Sequence, residues 1–354
     1  MSLLLAAALN ASLAFANPQP PDLKDLKATA TVNAMNAGAV IMIGDYTYLP
    51  DVPDAERDKA AFFKALQDQV GLDKRRIRYI DNPSDARTIK KYVKYGSYKL
   101  KKGGTLWVYV VGHGTTVKDG DNTDVLILGK RTPADLSKTS SYGVKLSDIV
   151  YEATRNKRAE KVVVVLDVSF GPTSRDHKAI GEKGLAPVWP ESLEKDNVMI
   201  WAASQGEQPA REYLGAAHGM FTYFTIGALA GWADGALDGY KDAKVSMAEA
   251  KAFVDNAMLT LGYDQQTKLI GAEANMQWIL TEGTEAEAPA AGEMRTLATN
   301  EWLAQLNAEE ALRKEFAKNE WAKLMENGAE QADKEAVQAF VDKWDRSKMT
   351  FEWT

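Results

Sequence analysis

Short runs of mostly apolar residues, set apart by longer segments with helical periodicity, limit what this chain can fold into. The runs are "GAVIMIGD" (38–45), "GGTLWVYVVGHG" (103–114), "EKVVVVLD" (160–167) and "DNVMIWAAS" (196–204), with "RRIRYI" (75–80) as a more polar member of the set. They are too short for helices and too continuous for one-sided strands, so they predict strands buried on both faces. Between them, "DAERDKAAFFKALQDQV" (54–70) has Ala60, Phe63 and Leu66 on one side of a helix. "SDARTIKKYVKYG" (84–96) reads as a helix with Ser84 as its N-cap, and "KLSDIVYEATRN" (145–156) as another. The apolar "HGMFTYFTIGALAGWA" (218–233) is a further helix. Such alternation predicts a mainly parallel sheet covered by helices on both faces.

In sheets of this kind ligands bind beyond the carboxyl ends of the strands. Two polar tips meet that condition, "GHG" at 112–114 and "DVSFG" at 167–171. Acyl transfer needs a nucleophile, a base within reach and donors for the oxyanion. Ser169 stands at the nucleophile position and His113 is the candidate base. The backbone N–H groups of Gly114 and Ser169 are the candidate oxyanion donors. The string D-V-S-F-G departs from the G-x-S-x-G elbow of the α/β hydrolases.

Composition narrows the chemistry. With no cysteine in 354 residues, disulfides, thiolate metal sites and a thiol nucleophile are excluded within this chain. Three histidines leave little for a histidine metal site. A net charge of −6 with no evident basic cluster speaks against a nucleic-acid partner.

The motifs together resemble the caspase/metacaspase family of cysteine peptidases in its bacterial form. They are "IMIGDYTYLPDVPDAERDKAAF", "LWVYVVGHG", "VVVVLDVSFG", "WAASQGEQPARE" and "HGMFTYFTIGALAG", over residues 38 to about 280. The family string Leu-Asp-Ala-Cys-Phe-Ser-Gly matches here at Leu166, Asp167 and Phe170, with Ser169 on the catalytic cysteine. The resemblance implies a caspase-like three-layer α/β/α sandwich with a mainly parallel six-stranded sheet, and a peptide-hydrolase cleft with His113 as base. It also implies that Asp167 lines the pocket for the residue before the scissile bond, and that this residue is Arg or Lys. Ser204, Gln208 and Glu212 match a pattern near the same wall, and Glu207 or Glu212 is an alternative source of the pocket's charge. Arg175 and His177 lie in the polar loop after Ser169, and His218 precedes the "GMFTY" helix. The implied partner is a peptide or protein with basic residues. A serine hydroxyl is far less acidic than a thiol and must lose its proton during attack. Three readings of Ser169 stay open: a pseudopeptidase that binds basic peptides or acts as a scaffold, a cysteine-to-serine change in an active enzyme, and a slow Ser–His hydrolase.

The flanks are read separately. Residues 1–16, ending in Ala14-Phe15-Ala16, predict a signal peptide, and hence a secreted or periplasmic protein without a membrane span. A Pro-rich leader covers 17–37 and the peptidase-like domain 38–280. A Glu/Ala/Pro linker follows over 281–293 and a helical extension over 294–354. In the extension, Trp302, Leu306, Phe316 and Leu324 mark one apolar face, and Val337, Phe340, Val341 and Trp344 a second. "DGYKDAKVSMAE" (238–249) places Asp238, Asp242 and Glu249 at EF-hand positions one, five and twelve. Tyr240 and Ala243 replace the third and sixth residues and weaken any calcium site; no other cofactor is expected.

Overall fold

The structure, a computed structural model, describes residues 19–119, 122–136, 142–170, 173–176, 178, 180, 189–206, 208–263, 265–326 and 335. The first half of the chain runs β1 (Ala37–Met42), α1 (Ala55–Asp68), β2 (Ile77–Asp81), α2 (Ala86–Lys99), β3 (Gly104–Asp119), β4 (Asn122–Leu128), β5 (Gly143–Lys145) and α3 (Leu146–Thr154). The second half runs β6 (Ala159–Ser169), β7 (Val198–Ala202), β8 (Glu212–Tyr213), β9 (His218–Gly219), α4 (Met220–Gly227), β10 (Lys244–Ser246), α5 (Met247–Thr260), β11 (Lys268–Ile270), β12 (Ile279–Glu282) and α6 (Ala291–Glu326).

The central sheet has the order β11-β7-β6-β3-β1-β2. All pairs are parallel except the β11 edge. Helices α1, α4 and α5 pack together on one face, and α2 with α3 on the other. Every residue of β1 is buried, as are Val162–Ser169 of β6, which is why these strands carry no polar alternation. The expected sandwich with a mainly parallel six-stranded sheet is therefore the observed one. Among the described residues no helix is long and apolar enough to cross a membrane.

Three local expectations are corrected. The strand through Gly-His-Gly does not stop there. β3 leaves β6 at His113 and continues from Gly114 into an antiparallel hairpin with β4, because Thr115, Thr116 and Val117 keep favouring extended backbone. The N-cap of α2 is Asp85, whose carboxylate accepts the Thr88 N–H at 2.8 Å, and not Ser84. Helix α1 buries Ala55, Asp58, Phe62, Ala65 and Leu66, while Ala60 is exposed. The buried stripe thus includes a carboxylate.

The C-terminal extension begins as one helix, α6, where two helices were expected across 294–345. Its buried anchors are Leu297 and Glu301, whereas Trp302 is 57% exposed and Leu306 only half-buried. The side chains of Phe316 and Leu324, and residues Val337, Phe340, Val341 and Trp344, lie outside the described residues, as do residues 1–16. Glu301 is 1% exposed and accepts the N–H groups of Leu214 (3.1 Å) and Gly215 (2.9 Å) and the Tyr263 hydroxyl. It therefore ties α6 to the loop between β8 and β9. Glu301→Gln should lower unfolding free energy by about 1.5–3 kcal/mol, the range for hydrogen bonds to a charged acceptor. Urea denaturation reads the loss, and limited proteolysis should show α6 released first.

Candidate functional site

The parallel register of β3 and β6 brings the two polar tips together: His113 is the direct partner of Ser169, and Val111 that of Asp167. Side chains two residues apart share a sheet face, so Asp167, Ser169 and His113 lie on one face. That face is the one covered by α1 and α4, since Tyr109, in line with His113, stacks on Phe62 of α1 at 4.0 Å.

His113 is fully buried. Its Nε2–H donates to the Pro50 carbonyl at 2.8 Å, and its ring stacks on Tyr46 at 4.7 Å. The Tyr46 hydroxyl accepts the His113 N–H at 2.8 Å and donates to the Leu128 carbonyl at 3.2 Å. With Nε2 holding the proton, Nδ1 carries the lone pair, and it is buried with no hydrogen-bond partner. Burial lowers the His113 pKa to about 4, so the ring is a neutral base at neutral pH. The orienting group that serine peptidases take from a carboxylate is here the Pro50 main-chain carbonyl. No side-chain pattern in the sequence announces it.

Ser169 ends β6, 2% exposed, with its hydroxyl donating to the Ala210 carbonyl at 3.5 Å. The loop after β7 thus roofs the serine. A side chain at Gly114 would overlap the Phe170 ring and Val168, so only glycine fits between the two tips.

Asp167 is fully buried beside a cation from the same chain. Arg175 Nη2 lies 2.7 Å from Asp167 Oδ2, and Nη1 lies 2.5 Å from Asp58 Oδ2 and 3.2 Å from the Pro53 carbonyl. Asp167 also accepts the N–H and hydroxyl of Thr222, at 3.2 and 2.5 Å. Asp58 accepts the Gly219 N–H at 3.0 Å and the His218 Nδ1–H at 2.8 Å. The His218 expected merely to precede a helix is thus also a ligand of Asp58. Burial pushes the Asp167 carboxyl up, opposed by the Arg175 charge, while the two carboxylates outweigh burial and hold the guanidinium well above its ordinary range. A side chain at Gly219 would collide with both Asp167 and Arg175, so the pocket depends on glycine there. Nothing in the sequence marks Asp58 and Arg175 as a pair. A carboxylate on the apolar stripe of α1 was the available signal.

The remaining candidates line the rim. Ser204 is buried after β7, its hydroxyl without a hydrogen-bond partner. Gln208 accepts the Gln266 N–H at 3.2 Å, from the loop before β11. Glu212 on β8 is half-buried. Burial, followed by a hydrogen bond to Asp54, raises its pKa to about 7, and the Arg175 charge acts against that rise. Glu207 and His177 lie outside the described residues. In the loop with EF-hand spacing, Asp238 accepts the Tyr240 N–H, Asp242 the Lys244 N–H, and Glu249 the N–H groups of Gly235 and Ser246. The three carboxylates serve the loop backbone, and no group of three or more metal-binding side chains exists among the described residues.

No family model matches the chain, and no curated protein matches it. Among solved structures, caspase-1 from Spodoptera frugiperda is similar over 72% of this chain and 93% of its own, with 11% identity and a TM-score of 0.46. Protein GSU0716 from Geobacter sulfurreducens is similar over 71% of this chain and 99% of its own, with 13% identity and a TM-score of 0.47. The fold assignment above rests on strand order and register alone.

Proposed function

We propose that this chain is a caspase/metacaspase-like peptidase-fold protein whose cleft recognises basic side chains, and whose serine leaves it little or no power to hydrolyse them. The observation that carries the reading is the buried Asp58–Arg175–Asp167 cluster. Two carboxylates on different elements converge on one guanidinium, next to an oriented, neutral histidine in register with Ser169. A pocket that accepts Arg175 from its own chain has the charge and depth for an Arg or Lys side chain of another. The scaffold reading is favoured by a second observation: as folded, the pocket is filled in cis and both Ser169 and His113 are out of contact with solvent.

The test is Ser169→Cys, alone and with Arg175→Gln, assayed on matched peptide amides ending in Arg, Lys or Asp. With Arg175→Gln vacating the pocket, a thiol that passes its proton to the neutral His113 as it attacks should raise turnover of the Arg and Lys amides by about 10²-fold or more over the serine protein. The Asp amides should stay unhydrolysed. No gain in either cysteine variant would overturn the retained cleft. Preference for Asp would overturn the basic pocket.

A further inference from the structure

The chain is acidic overall, yet residues 74–102 carry eleven Lys or Arg and only two Asp. The expectation of no basic cluster is therefore corrected, and the fold gathers these residues on one side. β2 and α3 both pack against α2, and guanidiniums knit the three segments together. Arg76 donates to the Lys99 carbonyl, and Arg158 Nη1 donates to the Tyr98 carbonyl at 3.0 Å. Lys74, Arg75, Arg87, Lys91, Lys99, Lys101, Lys102 and Arg158 are exposed. Among the eleven, only Arg75 and Lys90 have a salt-bridge partner among the described residues. The face is studded with exposed tyrosines, Tyr95, Tyr98 and Tyr151.

We infer that this face is a docking surface for an anionic phospholipid bilayer. Like-charged side chains left unpaired on one face repel one another, and a plane of phosphates relieves that repulsion along the whole row. The tyrosines decide between polyanions. Lys91 Nζ sits over the Tyr95 ring at 5.5 Å, Lys94 over Tyr98 at 5.6 Å, and Arg155 over Tyr151 at 5.4 Å. Nucleic-acid strands bind such rings by stacking bases on open ring faces, and here cations cover a face of three of them. Exposed tyrosine rings capped by cations instead match the headgroup layer, where tyrosine concentrates. The groove at the end of the row, about 520 Å³ and lined by Arg76, Lys99, Lys101 and Arg158, with Arg75 held by Asp73 at its wall, is of headgroup size. With the positive charge gathered here, the more acidic remainder of the chain is turned away from the membrane.

The full chain is sedimented with vesicles rich in phosphatidylglycerol and, separately, with vesicles of phosphatidylcholine. The wild-type protein binds the anionic vesicles only, and added salt weakens the binding. Changing Lys91, Lys94, Lys99, Lys101 and Lys102 to Gln lowers partition by up to about three-thousandfold, since each cation at an anionic surface is worth roughly a fivefold change. The same number of changes at Lys24, Lys241, Lys244, Lys251 and Lys268, with the same net charge, costs about twofold or less by the same screening argument. Unaltered circular dichroism and melting temperature confirm that both variants fold. Four results would overturn the assignment: no binding by the wild-type protein, equal binding to neutral vesicles, equal losses in the two variants, or tighter binding to an oligonucleotide than to the vesicles.

Discussion

Replacing Arg175 with Ala should cost about 3–5 kcal/mol of unfolding free energy at neutral pH, the range for breaking a buried ion pair from one side. For a domain stable by about 5–15 kcal/mol, that is a large share of the total. The side chains of Arg175, Asp58 and Asp167 are 1%, 0% and 0% exposed, so water cannot replace the lost cation. Two carboxylates are then left facing each other in the interior, and the folded state of the variant must hold a proton that the unfolded state releases. Its carboxyl pKa therefore lies above the unfolded value. The sign follows: the deficit is small below about pH 4, where the unfolded carboxylates are also protonated, and grows as pH rises. Adding Asp58→Asn and Asp167→Asn to Arg175→Ala should recover most of the loss, because no buried charge remains. N-acetylarginine amide should raise the melting temperature of Arg175→Ala in a concentration-dependent way and leave the wild-type protein unaffected, since only the variant has a vacant pocket. Chemical denaturation from pH 4 to 8 reads the first effect. A loss below about 1 kcal/mol, or one that grows toward low pH, would mean that the cluster is not the buried, charged unit its geometry describes.

The difference between what the sequence disclosed and what it hid runs along the distance in chain over which each feature is decided. β1, β3, β6 and β7 were legible because burial on both faces leaves unbroken runs such as Val162–Leu166, a signal contained within each strand. The pairing of His113 with Ser169 followed from two such strands whose apolar runs each give way to a polar residue, although β3 itself runs on to Asp119. The phase of helix α1 was hidden because its apolar residues come as neighbours, Ala60-Ala61 and Phe62-Phe63, and either member of each pair can face the core. That ambiguity hides Asp58, whose charge reads as exposure until its partner is known. That partner is 117 residues away in a polar loop with no periodicity. The Pro50 carbonyl that orients His113 is backbone, to which side-chain patterns are blind. Glu301 was hidden for the opposite reason: Trp302 beside it is the more apolar residue, but the backbone donors of Leu214 and Gly215 select the carboxylate.

Acid should act on this fold chiefly through His113, by about 3 kcal/mol. Its pKa falls from the ordinary 6.5 to about 4 because burial disfavours the charged ring, and each tenfold change in acidity corresponds to about 1.4 kcal/mol. A depressed folded pKa means that the unfolded state takes up the proton first. The contribution is therefore fully present above about pH 6.5 and is lost as pH falls toward 4. Glu212 works in the other direction. Its pKa is raised to about 7, so its contribution is present below the unfolded carboxylate range and fades as pH rises through 7. Glu212 is only half-buried, and solvent screening makes its slope the shallower of the two. Between pH 4.5 and 6.5 the two slopes oppose, and wild-type stability should climb only gently. The variants separate them. His113→Gln keeps a donor for the Pro50 carbonyl and removes the titrating ring, so the difference from wild type should change by about 3 kcal/mol between pH 7 and 4, in favour of the variant at the acid end. Glu212→Gln should do the reverse, steepening the climb from pH 4.5 to 7. Parallel wild-type and His113→Gln curves would mean that the imidazole reaches water and protonates freely in the folded state. The buried Nδ1 lone pair, and with it the base of the proposed cleft, would then have to be abandoned.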